Sequence, residues 1–179
     1  MATYNFTIRA TDNAGAYSDR AFNLTVNNTI YDRFIAVGNT GLIRSPDSVT
    51  WTYESGLTGT AVIYGGGRWL VYNASSSNLT MRTSADGTSW STYTPTFSGA
   101  GATINVMWAI KYRNGAWVGI FGSTSNSTLW EYSSPDGAAW TQVTSLGAYG
   151  AMTDFDYDAA GTLLIYNNAT GLFVSKHSK

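Results

Sequence analysis

Apolar and polar residues alternate along this chain in short runs, and turns rich in Gly, Asn and Asp separate the runs. Alternation with period two marks strands that are buried on one face. Residues 4–10 alternate, 11–15 read as a turn, and 20–26 alternate again. Further strands are expected at 33–38, 68–73, 116–121 and 162–167. Upstream of the last three lie strands at 61–64, 107–112 and 155–157, each closed by a Gly-bearing turn at Gly65 to Gly67, Asn114-Gly115 and Gly161. Aromatic and β-branched residues build the strands and small polar residues the turns, so the profile predicts an all-β protein.

A short motif recurs in register with these strands. Ser45-Pro46-Asp47-Ser48-Val49-Thr50-Trp51 is repeated as Ser84-Ala85-Asp86-Gly87-Thr88-Ser89-Trp90 and as Ser134-Pro135-Asp136-Gly137-Ala138-Ala139-Trp140. The common pattern is Ser-x-Asp-(Gly/Ser)-x-x-Trp. Asp can hydrogen-bond its own backbone two residues on, and Gly supplies a positive φ, so each copy reads as a β-hairpin turn. The Trp starts the return strand and can lay its ring over the hairpin. The expected structural residues are Ser45, Asp47, Trp51, Ser84, Asp86, Gly87, Trp90, Ser134, Asp136, Gly137 and Trp140. The alternative, that the three Asp form a catalytic or metal site, would require separate repeats to converge on one point.

Each unit then has four strands, one before the Gly turn, one after it, one running into Ser-x-Asp and one carrying the Trp. Four antiparallel strands in a unit of roughly 40 to 50 residues describe a propeller blade. The expectation is a β-propeller-like domain of about four blades over residues 29–179, preceded by a separate segment, 1–28. Residues 171–175 align with 41–45, but only 176–179 follow, so the last blade lacks its Trp strand. The first blade lacks its inner strand. The N-terminal strands are expected to complete both: 22–28 in the first blade, and 4–10 at the open edge near 172–175 in the same chain or a neighbouring subunit. Two strands alone are marginal in water.

Composition narrows the functional classes. Aromatics reach 15% and charged residues only 12%, with a net charge of −1, so there is no basic footprint for nucleic acid. There is no Cys, and the one His is His177, which argues against thiolate or His-based metal sites and a Ser-His-Asp triad. No signal peptide pattern and no membrane-length apolar run is visible. No cofactor and no membrane insertion are expected. Asp154, Asp156 and Asp158 share one strand face, but the Gly of a calcium loop would follow directly, whereas Gly161 comes late. Aligning Tyr157 with Tyr112 sets Asp156 and Asp158 opposite Lys111 and Arg113, which favours ion pairs across blades.

The Ser-x-Asp-Gly-x-x-Trp hairpin resembles the Asp-box, or bacterial neuraminidase repeat, across residues 31–175, although it lacks the further Gly and Thr usual before the Trp. Residues 5–15 and 22–27 resemble the last two strands of cadherin-like and immunoglobulin-like domains. The resemblance implies that the boxes are structural staples and not catalytic. Compact boxes beside such a strand pair look like bacteriophage tail, fibre, baseplate or capsid-accessory proteins. This implies a non-enzymatic structural or adhesion component of a virion, made in the host bacterial cytoplasm, with other virion proteins or copies of itself as partners. A lectin-like propeller binding cell-surface glycan is the alternative. A sialidase-like glycosidase is the third reading. Sialidases need three Arg, a Tyr-Glu pair and an acidic Asp, and here Glu occurs only at Glu54 and Glu131, the latter expected to point outward.

Overall fold

The computed structural model describes residues 2–26, 34–74, 77, 79–99, 103–125, 127–148, 152–159, 161–167 and 171–175. The end of the expected strand 22–28, together with Arg33 and His177, lies outside the described residues. The chain divides into two compact units, Met1–Tyr31 and Asp32–Lys179. Both are built of strands, and no helix occurs among the described residues.

The first unit is one long antiparallel hairpin of β1 (Ala2–Thr11) and β2 (Tyr17–Val26). Its turn is held by Asp12, whose Oδ1 accepts the N–H groups of Ala14 and Ala16, both at 2.9 Å. Cross-strand partners then meet in pairs. Phe6 stacks on Phe22 with ring centres 5.5 Å apart. Arg9 donates twice to Asp19, at 2.7 and 2.6 Å, and lies over the Tyr17 ring.

This pairing corrects the expected completion of the later sheets within the chain. β1 and β2 form a two-stranded sheet with each other, and the topology places neither in a sheet with the strands after residue 33. The reason is local. A short turn closes the hairpin at little entropic cost, whereas pairing β1 with the strand at 171–175 would close a loop of more than a hundred residues.

The second unit holds four sheets in chain order. The first is β3 (Phe34–Val37), β4 (Gly41–Ser45) and β5 (Thr52–Ser55). The second is β6 (Ala61–Gly65), β7 (Arg68–Tyr72), β8 (Met81–Ser84) and β9 (Ser91–Tyr93). The third contains β11 (Val106–Arg113), β12 (Ala116–Ser123), β13 (Thr128–Ser134) and β14 (Ala139–Ala148). It also takes β10 (Thr96–Ser98), which runs parallel to the edge of β14. The fourth is β15 (Asp154–Tyr157), β16 (Leu163–Asn167) and β17 (Gly171–Ser175). The fifth strand of the third sheet departs from the expected four per unit. Thr96-Phe97-Ser98 is too short, with one apolar residue, to show alternation.

Register repeats from sheet to sheet. Phe34, Trp69 and Trp117 stand opposite the motif serines Ser45, Ser84 and Ser134, and Leu163 stands opposite Ser175. Because side chains alternate across a strand, this fixes which residues look toward the preceding sheet and which toward the next. Three apolar seams result. Leu42, Leu57 and Val71 lie between the first and second sheets. Leu70, Tyr72, Met81, Met107, Ile110, Trp117, Phe121, Tyr132 and Trp140 lie between the second and third. Ala109, Ile120, Leu129, Phe155, Leu163 and Ile165 lie between the third and fourth. The middle seam is the most aromatic. Each fully buried ring there contributes a gross 4–6 kcal/mol, taking ~150–250 Å² at ~25 cal/mol per Å².

Polar groups also cross the seams. The buried Tyr72 hydroxyl accepts the Ile110 N–H at 2.9 Å. Gly65 approaches the next sheet so closely that a Cβ there would overlap the Tyr112 side chain.

Candidate functional site

The three Ser-x-Asp motifs adopt the same geometry. In each, Asp Oδ1 accepts the backbone N–H groups two and three residues on. The distances are 2.8 and 2.7 Å for Asp47, 2.8 and 2.8 Å for Asp86, and 2.8 and 3.1 Å for Asp136. The motif serine hydroxyl donates to that same carboxylate at 3.0, 2.9 and 3.0 Å. Each Trp Nε1 donates back to the carbonyl of the residue after the Asp, at 3.2, 3.2 and 2.7 Å. The bonds stabilise the ionised form. The N–H groups of Thr50 and Val49, then the Ser45 hydroxyl, hold the Asp47 carboxyl down at about 2. The N–H groups of Ser89 and Thr88 lower that of Asp86, and those of Ala138 and Ala139 lower that of Asp136.

The copies differ at the glycine position. Gly87 and Gly137 have φ of 77° and 82°, and their N–H groups donate to the motif serines at 2.8 and 2.9 Å. Ser48 takes φ 65° in the first copy, and among the described residues that bond is missing. The tryptophans differ in cover. Trp140 is sealed in the middle seam, Trp90 is partly buried beside the first seam, and Trp51 is exposed. Each motif brings its own Ser, Asp and Trp together, and the structure does not gather the three carboxylates. One contact links neighbouring copies: the Tyr93 hydroxyl donates to Gly137 O at 3.2 Å.

A second polar cluster lies at the seam of the third and fourth sheets. Glu131 is 5% exposed, which corrects the expectation that it points outward. Its Oε1 accepts the Tyr157 hydroxyl at 2.6 Å, and its Oε2 is buried without a partner. Burial first, and the Glu131 carboxylate second, push the Tyr157 phenol well above its ordinary value. The Arg113 guanidinium lies 4.4 Å from the Tyr157 ring centre. The third sheet is buried on both faces, so its strands carry apolar residues on both sides and give no outward side for Glu131.

Lys111 reaches Asp154 and Asp156, each at 3.5 Å, across the same seam. Arg113 donates to the Asp158 carbonyl oxygen at 3.4 Å. Among the described residues no group of three or more His, Asp or Glu is placed to hold a metal ion.

The third feature is a groove of about 400 Å³ lined by Glu54, Ser55, Gly56, Leu57, Arg82, Thr88, Trp90 and Thr92. It opens along the outer strands at the seam of the first two sheets. Register explains its lining. Leu42 faces this seam and pairs with Glu54, and Val71 faces it from the other side and pairs with Arg82, which pairs with Thr92. Arg82 uses Nη1 to bond Thr58 O at 2.7 Å, and Glu54 has an Arg44 Nε at 3.8 Å. Sequence reasoning missed the groove, because its residues come from strands that meet only in the fold.

No protein-family model matches the chain, and no curated protein matches it.

Proposed function

We propose that the protein is a non-enzymatic structural or adhesion component of a bacteriophage virion. In this reading the four sheets are propeller-like blades and the Ser-x-Asp hairpins are Asp-box staples. The observation that carries the non-enzymatic part is the occupation of the carboxylates. Of the eleven Asp and Glu, Asp32 lies outside the described residues, nine of the others accept hydrogen bonds within the fold, and Glu54 alone stands 3.8 Å from its cation, so no second carboxylate is left to share one bond with it. Three hold the motif turns, Asp12 and Asp158 hold other turns, and Asp19 pairs with Arg9. Asp154 and Asp156 bind Lys111 and their own strand, Glu131 takes Tyr157, and Glu54 faces Arg44.

Most glycoside hydrolases use two carboxyl groups that face one bond with complementary protonation, and sialidases use a Tyr-Glu pair instead. Glu131 and Tyr157 have the residue types of a sialidase nucleophile pair, but Glu131 is 5% exposed within the seam of the third and fourth sheets, and neither residue lines the groove. Arg44, Arg82 and Arg113 are each turned to a different partner, so they make no joint carboxylate clamp. The virion setting rests on the resemblance of the repeats together with low charge and a Gly-, Ser- and Thr-rich composition.

The test has two arms. Purified phage particles are probed with an antibody to this chain, and the isolated protein is assayed against sialosides and neutral aryl glycosides. Presence in particles without turnover is expected. Absence from particles refutes the virion assignment, and turnover of any glycoside refutes the non-enzymatic one.

A further inference from the structure

We infer that the groove between the first two sheets binds a neutral saccharide, with Trp90 as the stacking surface and Glu54 and Arg82 as its polar contacts. The inference rests on the adhesion reading and gives it a ligand.

The argument begins from the repeat. The equivalent place in the next seam is filled. There Tyr132 occupies the position of Arg82, since it stands opposite Gly119 as Arg82 stands opposite Val71. Phe97 of β10 lies against that Tyr132 and against Phe121, with ring centres 5.3 and 4.8 Å away. Trp140, the counterpart of Trp90, is fully covered. The filled seam is aromatic. The open one has exchanged Tyr for Arg, holds Leu57 after β5 where the filled seam holds Phe97 after β9, and carries a carboxylate, a guanidinium and threonine hydroxyls around an indole. The lining is that of a site for a polar ligand, not of a core that failed to fill.

Glu54 is the second observation. Among the described carboxylates it is the one that accepts no hydrogen bond, its cation standing at 3.8 Å. Arg82 spends one of its five N–H groups on Thr58. Both therefore retain bonding capacity toward the groove. Adjacent hydroxyls that both donate and accept satisfy a carboxylate and a guanidinium together. The C–H face of a pyranose ring covers an indole without asking it for a hydrogen bond, and Trp90 Nε1 is already committed to Gly87 O at 3.2 Å. The volume of about 400 Å³ lies at the small end of ligand sites, with room for one or two sugar rings.

The experiment is saturation-transfer NMR with quenching of tryptophan fluorescence. The probes are methyl glucoside, methyl galactoside, N-acetylglucosamine, lactose, maltose and sialyllactose. At least one neutral sugar is expected to bind. Glu54→Gln should weaken it at least fivefold, and Thr92→Trp, which obstructs the groove, should abolish it, both with unchanged melting temperature. If Thr92→Trp lowers the melting temperature, Ser55→Trp replaces it as the blocking variant. Binding of no sugar, binding of sialyllactose alone, or binding indifferent to both substitutions overturns the inference. The outcomes separate from the reading it rests on: a protein present in particles that binds no sugar loses only the groove. Hydrolysis of a bound sugar refutes the non-enzymatic role and leaves the groove in place.

Discussion

The same tryptophan of the same motif should be worth very different amounts in different sheets. Trp140 and Trp51 both close a Ser-x-Asp hairpin with an Nε1 bond to the turn carbonyl. Trp140 is 1% exposed and Trp51 is 45% exposed. A tryptophan carries roughly 200 Å² of mostly apolar surface, so complete burial contributes about 5 kcal/mol at ~25 cal/mol per Å². Trp140 realises nearly all of this and Trp51 about half. Partial compactness of the unfolded chain lowers both by roughly a quarter, to about 4 and about 2 kcal/mol. Trp140→Ala also opens a cavity beside Phe121, whose ring centre is 4.8 Å away, and strips Gly137 O of a 2.7 Å bond. Both effects deepen its loss. Urea unfolding followed by far-UV circular dichroism, which does not depend on the deleted fluorophore, measures both variants. A gap of at least about 2 kcal/mol is expected, with Trp140→Ala the worse. Losses equal within about 0.5 kcal/mol would show that the hairpin bond, and not cover by the preceding sheet, sets the value of the ring.

Four further outcomes follow from the motifs and the buried pair. Ser48→Gly should raise stability by about 0.5–1 kcal/mol, because it relieves a left-handed serine and the cost of a freer unfolded chain only partly offsets that; an unchanged or lower urea midpoint counts against it. Asp136→Ala should cost roughly 1–3 kcal/mol through orphaned turn N–H groups, read from the same midpoint. The lowered carboxyls of Asp47, Asp86 and Asp136 give stability that is complete above the unfolded value of about 3.9. It is lost as pH falls through their folded values, so the midpoint should drop from about pH 5 downward, and replacing all three with Asn should flatten that fall. Tyr157→Phe should destabilise by roughly 1–3 kcal/mol by leaving the Glu131 carboxyl without its donor, and adding Glu131→Leu should recover most of the loss in thermal melts.

The strands were legible because their turns announce themselves. Asn114-Gly115 and Gly161 adopt positive φ where the chain reverses, and β11, β12, β15 and β16 fall on either side of them. The Ser-x-Asp-x-x-x-Trp spacing was legible as local chemistry, since the side-chain hydrogen bonds of its Ser, Asp and Trp span three residues or fewer within the hairpin. What failed to show was everything that depends on a distant neighbour. The partner of β2 is decided by competition between a near strand and far ones, and alternation in 20–26 is the same for either. Glu131 looks like an outward charge until both faces of β13 are known to be covered. The groove joins Glu54 and Ser55 to Thr88 and Trp90 through stacking of two sheets, a relation no spacing encodes.

β10 has a consequence for how the stack opens. It leaves the second sheet after Tyr93 and lays three residues along β14 of the third, so these two sheets share a chain segment as well as the aromatic seam. The first and fourth sheets each have an apolar seam on one side only among the described residues. In an array where each layer touches just its neighbours, unfolding propagates from the ends inward. Amide protons of β3 and β16 should therefore exchange through local fraying, and those of β7, β12 and β13 only through global opening. The clasped middle pair behaves as the cooperative nucleus of the array, and the outer layers add to it one at a time.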